Sequence, residues 1–291
     1  MTEPVHAVGE SPVWRAAEAA LYWVDIPRKA IHRLHVESGR ASAWSAAEMV
    51  ACIAFTTYGG LIAGMESGIF SLALASGGTI EATRLATPSF PMDGMRFNDG
   101  RCDRQGRFWA GTMHMDMAAA RPVGALYKYG ARSGLAGPIV HGLITQNGLA
   151  WSPSGERMYL SDSHPSVRQV WMFDYDMDSG TPHNRRTFID MKLHAGRPDG
   201  AAVDAEGCYW TCANDAGRLM RFTPEGRLDR TIELPVRKPS MCAFGGSALD
   251  TLYVTSIRPR DERELQGQPL AGAVLALRPG THGLPEPLFA A

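Results

Sequence analysis

No uninterrupted apolar run approaches the roughly 18 residues that a membrane-spanning helix needs. The chain opens MTEPVHAVGESPVW, with no basic region followed by an apolar one, so no secretory leader is expected. There is no charge excess either. The 29 Lys and Arg residues are balanced by 30 Asp and Glu, a net charge of −1, which gives no electrostatic footprint for nucleic acid or for a membrane surface. No stretch of about 12 residues holds a 3.6-residue apolar period without Gly or Pro, which excludes long helices. The five cysteines (Cys52, Cys102, Cys208, Cys212, Cys242) are odd in number and scattered through apolar runs, the pattern of buried free thiols. Cys208 and Cys212 lie four apart with no matching second pair, which argues against a zinc site. These absences point to a cytoplasmic globular protein with no nucleic-acid, membrane or protein partner.

What the chain has is repetition. ALYWVDI (20–26), GLIAGM (60–65), RFWAGTM (107–113), RMYLSDS (157–163), CYWTCAN (208–214) and TLYVTSI (251–257) are short runs rich in aromatic and β-branched residues. With Tyr22, Ile62, Trp109, Tyr159, Trp210 and Tyr253 taken as equivalent, they recur every 40 to 51 residues. Most follow a tight-turn sequence such as DRQG, SPSG or DAEG. A third strand-like run follows each, as in IHRLHVESG or VWMFDYDMDSG. Repeats of this length built from short strands predict an all-β, six-bladed β-propeller with four-stranded antiparallel blades around a central channel, one domain over 1–291. Near-regular spacing and the lack of a linker argue against a β-sandwich or two small β domains.

In a propeller the first strand of each blade lines the channel. That strand lies 10–12 residues before the aligned aromatic, which selects Glu10, Ala51, Asn98, Asn147, Asp199 and Met241. Four of these six carry side-chain oxygen. Carboxylates crowded near an axis repel one another and rise in pKa, and a divalent cation resolves that cost. Two carboxylates and two amides form an all-oxygen set. Such a set suits Ca2+ first, with Mg2+, Mn2+, Zn2+ or Fe as alternatives and zinc the less typical. Arg96 lies two residues before Asn98 and so shares its strand face, where it can grip a substrate oxygen. Asp99 is expected to point the other way and fix the turn. His114 and Asp116, in GTMHMD, are delivered to a loop at the same end as candidate substrate contacts. Segments 15–20, 114–123, 163–168 and 257–268 are expected to form lids over the channel. No His/Ser or His/Cys pattern supports nucleophilic catalysis.

Taken in order, GESPVW, RFNDGRCDRQGRFWAGTM, QNGLAWSPSGERMYLSDS, PDGAAVDAEGCYWTC and CAFGGSALDTLYVTS resemble the SMP-30/gluconolactonase/luciferin-regenerating family along essentially the whole chain. The resemblance implies a six-bladed propeller with a divalent metal on its axis and hydrolysis of sugar-acid lactones. Matched motif by motif, it places metal ligands at Glu10, Asn147 and Asp199, substrate contacts at Arg96, Asn98 and Asp116, and the proton acceptor at Asp199. Glu is commoner at the position of Asp116, and the shorter side chain implies a substrate reached from farther away or through water. The metal would polarise the lactone carbonyl, and Asp199 would act as base or would orient a metal-bound water. Two other functions fit the same pattern: a calcium-binding propeller that serves as a binding protein, and a metal-dependent aryl-ester or phosphotriester hydrolase.

Overall fold

Each of the six aromatic or β-branched runs forms the second strand of a separate antiparallel sheet, and the inner strand before it faces the axis. The computed structural model describes residues 2–3 and 5–291. The inner strands are Gly9–Arg15, Val50–Phe55, Met95–Cys102, Gln146–Trp151, Arg197–Val203 and Pro239–Gly245. Their second-strand partners are Ala20–Asp25, Leu61–Met65, Phe108–His114, Arg157–Asp162, Tyr209–Asn214 and Thr251–Ser256. Neighbouring inner strands pack side by side in a ring, and the first lies against the sixth. The molecule is therefore a six-bladed β-propeller. Among the described residues the one α-helix is the four-residue turn Glu262–Leu265. None of them forms a helix long and apolar enough to cross a membrane.

Each blade is sandwiched between two others, so both faces of its second strand are covered. Ala20–Asp25 and Tyr209–Asn214 are buried end to end. Aromatic side chains fill the seams: Trp14 stacks on Tyr253 of blade six, and Tyr159 of blade four meets Tyr209 of blade five at 5.2 Å between ring centroids. Burial of each such ring contributes about 2–3 kcal/mol. All five cysteines are free and buried.

The turns predicted from DRQG and DAEG are hairpins, each held by one aspartate. Asp103 accepts from the Gln105 and Arg107 N–H groups, from Trp109 Nε1 and from the Tyr175 hydroxyl. Asp204 repeats the arrangement with Glu206, Cys208, Trp210 and Arg221. The Asp-x-x-Gly-x-x-Trp spacing thus joins a turn to a core indole.

Five sheets have four strands. Among the described residues the sixth has three, ending in Leu275–Leu277. The N-terminal segment packs there and closes the ring. Val8 bridges Ile257, and the His6 N–H donates to the Gly272 carbonyl. The C-terminal segment 281–291 runs across the far ends of the inner strands. It bridges Asp204 through Gly283 and Thr56 through Phe289, and the Ala290 N–H donates to the Gly106 carbonyl. Glu286 on this segment forms a 3.3 Å ion pair with Arg101 of blade three, which also donates to the Ala201 carbonyl of blade five.

One expected lid lies elsewhere. Segment 15–20 joins an inner strand to a second strand, and that hairpin sits at the far end of the channel, beside the C-terminal segment. Only chain that follows a second strand or precedes an inner strand reaches the mouth. Segments 114–123, 163–168 and 257–268 meet that condition.

Candidate active site at the channel mouth

All six inner strands break register against their second strands at the same depth. The breaks fall between Glu10 and Val13, Val50 and Cys52, Phe97 and Gly100, Asn147 and Ala150, Pro198 and Ala201, and Pro239 and Cys242. Each is a β-bulge, which re-aims side chains and leaves backbone groups without ladder partners. Glu10 and Asn147 stand just before their bulges, whereas Asn98 and Asp199 lie inside theirs. The alternating sequence offsets of 12 and 11 residues record this one-place difference. In the Asn-Gly pair of blade four, Gly148 has φ +62°, and a Cβ there would lie 2.5 Å from both Ser161 Oγ and the Tyr209 hydroxyl. Only glycine fits, and the pair forms the bulge rather than a turn.

The bulges explain Asp99. It does not fix the DRQG turn, which belongs to Asp103. Asp99 Oδ2 instead accepts the Leu149 N–H freed by the bulge in the next blade, 2.9 Å away. Ser11 Oγ accepts the Ile53 N–H at the seam of blades one and two, 2.9 Å away.

The polar side chains at the mouth are linked. Arg96 Nη1 donates to the Phe97 carbonyl and to Asn98 Oδ1, at 2.7 and 2.8 Å. Asn98 Nδ2 donates to the Gln146 carbonyl and to Asn147 Oδ1, at 2.7 and 3.2 Å. Asn147 Nδ2 donates to Ser163 Oγ at 2.8 Å, so its carbonyl oxygen is turned toward Asn98. Asp199 Oδ2 accepts from Asn214 Nδ2 at 2.6 Å, and Glu10 Oε2 accepts from the Ser11 N–H at 3.1 Å. Each carboxylate is thus anchored through one named oxygen.

Electrostatics ties Glu10 to Asp199. Burial pushes the Glu10 carboxyl well above the usual range, and the charges of Asp199 and Asp99 push it further. Asp199 is pushed up to about 7, mainly by burial, against the pull of Arg197 and the Asn214 hydrogen bond. Arg96 is lowered to about 10 by burial and supported by the Glu10 charge. Two desolvated carboxylates near one another and beside an amide oxygen form a hard-oxygen set that favours a divalent cation such as Ca2+. The residues present therefore fit the ion that the resemblance implies, with Glu10, Asn147 and Asp199 able to hold it. The described residues contain no cluster of three or more His, Cys, Asp or Glu side chains suited to a metal.

His114 and Asp116 stand apart from this network. His114 pairs in register with Met95, and its Nδ1 lies 3.2 Å from the Asp116 carbonyl oxygen. The Asp116 side chain is exposed on the rim loop, next to the short turn Met117–Ala119. Asn214, Ser163 and Arg197 also contact the network, and none is among the site residues expected from sequence. Asn214 carried a readable signal, since it ends its second strand where YWVD and YLSD place an aspartate.

Comparison with known proteins bears on the family and the fold. The family model described as SMP-30/Gluconolactonase/LRE-like region matches residues 8–258. A 6-deoxy-6-sulfogluconolactonase from Pseudomonas putida is 41% identical over 97% of this chain and 95% of its own length. Regucalcin from Sus scrofa is 34% identical over 95% of this chain and 93% of its own. Among solved structures, a calcium-binding regucalcin from Agrobacterium tumefaciens superposes with a TM-score of 0.90 at 26% identity, covering 98% of this chain and 95% of that one. A luciferin-regenerating enzyme superposes with a TM-score of 0.88 at 28% identity, covering 98% and 96%. The chain belongs to the SMP-30/gluconolactonase/LRE-like family.

Proposed function

We propose that the protein is a lactonase that hydrolyses a sugar-acid lactone to the open aldonic acid, with a divalent cation held by Glu10, Asn147 and Asp199. The observation that carries this reading is a pair of buried carboxylates, each anchored through one oxygen, beside an arginine and an amide at the mouth of the channel. The sulfogluconolactonase relative supports the reaction class, and the calcium-binding regucalcin structure supports the cation.

An ion held by Glu10, Asn147 and Asp199 would supply Lewis-acid polarisation of the lactone carbonyl. The chain supplies the rest. Asp199, anchored through Oδ2 on Asn214, presents Oδ1 to the attacking water and takes its proton. The water oxygen bonds to the carbonyl carbon, the acyl bond to the ring oxygen breaks, and Asp199 passes its proton to that oxygen, which leaves as a hydroxyl, so one water is consumed and one carboxylic acid is formed. Arg96 and Asn98 hold the substrate hydroxyls and ring oxygen, with their own geometry fixed by the Arg96–Asn98–Asn147 chain of hydrogen bonds. Asp116 on the rim loop and His114 at the end of the second strand meet the far end of the sugar, Asp116 through water.

A pH-indicator assay over a panel of aldonolactones tests this, with and without an acidic group at C6. Hydrolysis should stop in EDTA and return on addition of Ca2+ or Mn2+. Full activity in the metal-free protein would overturn the metal-dependent mechanism. Calcium binding with no hydrolysis of any lactone would favour the binding-protein reading, and faster turnover of an aryl ester or phosphotriester would favour the other hydrolase.

A further inference from the structure

One register slot is used in two ways around the ring. The last residue of the second strand pairs with Gly9 in blade one, Gln146 in blade four and Arg197 in blade five. In blades one and four it is an aspartate that ties down the incoming chain. Asp25 accepts the N–H groups of Ala7 and Val8, and Asp162 accepts those of Ile144 and Thr145. In blade five it is Asn214, which turns inward. Its Nδ2 donates to Asp199 Oδ2 at 2.6 Å, and its Oδ1 accepts from Arg197 Nη2 at 3.3 Å. An aspartate there would set a further carboxylate against Asp199, where the amide supplies an N–H.

Arg197 extends the connection across the seam between blades four and five. Its Nη1 donates to the Ser163 carbonyl at 3.3 Å, and the Ser163 hydroxyl accepts from Asn147 Nδ2. Its Nε is held by Asp215 at 2.6 Å, which answers the arginine charge. Three N–H groups of one planar guanidinium thus meet three different partners, a geometry that a lysine cannot reproduce.

We propose that Arg197 and Asn214 are positioning residues for the metal ligands, with Arg197 linking the supports of Asp199 and Asn147 on two blades. The inference rests on the reading of Asp199 and Asn147 as ligands. Outer partners of this kind set the orientation and free lone pair of each ligand, and their loss typically weakens metal binding about 10–100-fold.

The test is calorimetric titration of CaCl2, and separately of MnCl2, into the EDTA-stripped and dialysed protein. Asn214→Ala should weaken binding about 10–100-fold. Arg197→Met should weaken it about tenfold, the lower end of that range, because Asn214 and Ser163 remain. At subsaturating metal, kcat should fall in step with occupancy while KM for the lactone stays within about twofold, and saturating metal should restore kcat. Thermal unfolding in EDTA separates this from a purely structural role, which would lower the midpoint and leave the affinity unchanged. Metal affinity within about twofold of wild type in both variants overturns the positioning role alone. Failure of the wild-type protein to bind either ion overturns both this role and the metal reading beneath it. If Asn214→Ala does not fold, Arg197→Met and Ser163→Ala probe the two limbs independently.

Discussion

Carboxylates are buried at both ends of the channel, and the two ends treat them differently. At the far end Asp103 and Asp204 are fully buried, and both oxygens of each accept hydrogen bonds from turn N–H groups, an indole and an arginine. At the mouth Glu10 and Asp199 are nearly as buried, at 9% and 7% exposed, yet burial drives both pKa values up, with the charge of Asp199 adding to the rise at Glu10 and that of Asp99 to the rise at Asp199. Asp99, 4% exposed, keeps Oδ1 buried without a hydrogen-bond partner. Saturated carboxylates hold the fold together, whereas under-satisfied ones cost stability and are poised for a ligand. Burial alone does not separate the two kinds. The count of donors does.

Three experiments probe that contrast. The largest effect is expected at the mouth. Asp199→Asn should cut kcat/KM for the lactone by about a thousandfold or more. In EDTA its thermal midpoint should hold or rise, and Glu10→Gln should stabilise the metal-free protein by about 1–2 kcal/mol, because one of two repelling buried charges is gone. The next effect lies at the far end. Asp103→Ala should cost about 3–5 kcal/mol in urea unfolding, since it strands Arg107, the Trp109 indole and the Tyr175 hydroxyl. Activity per folded molecule should stay near wild type. A large stability loss at Glu10, or none at Asp103, would break the contrast.

The smallest effect concerns the N-terminal clasp. The His6 and His32 rings meet edge to face at 4.7 Å, His32 stacks on Trp23, and His6 Nδ1 lies 2.7 Å from the Gly272 carbonyl oxygen. Burial lowers both imidazoles, His32 to about 4, with Asp25 pulling each up and Arg28 pushing each down. The unfolded chain therefore binds more protons between roughly pH 6.5 and 4, and stability should fall as the pH falls through that window. His32→Gln should flatten the slope of unfolding free energy against pH relative to wild type. An unchanged slope would remove the clasp as its source.

Much of the ring was legible in the sequence because second strands announce themselves. They are short, apolar on both faces and preceded by glycine turns, and local chemistry suffices to find them. The inner strands were legible only to within a place. Their bulges break the two-residue alternation, so Glu10 and Asn147 differ by one position from Asn98 and Asp199, and Asp99 turns to a partner 50 residues away. Segment 15–20 lies at the end opposite to the one expected from sequence, because loop composition does not say which end of a strand a loop joins. The final strap was invisible. THGLPEPLFAA has no strand pattern, and its contacts reach residues as distant in sequence as Thr56 and Gly106. Family resemblance supplied the ligand set. The contact of Ser163 with Asn147 had no sequence signal, and that of Asn214 with Asp199 had only its place at the end of a second strand.

That strap also gives the molecule a direction. Segment 281–291 lies over the end of the channel opposite Glu10 and Asp199 and finishes at an exposed Ala291. A tether attached there would leave the opposite face pointing into solution. Captured on a bead or an electrode through this segment, every molecule would turn Glu10 and Asp199 away from the support.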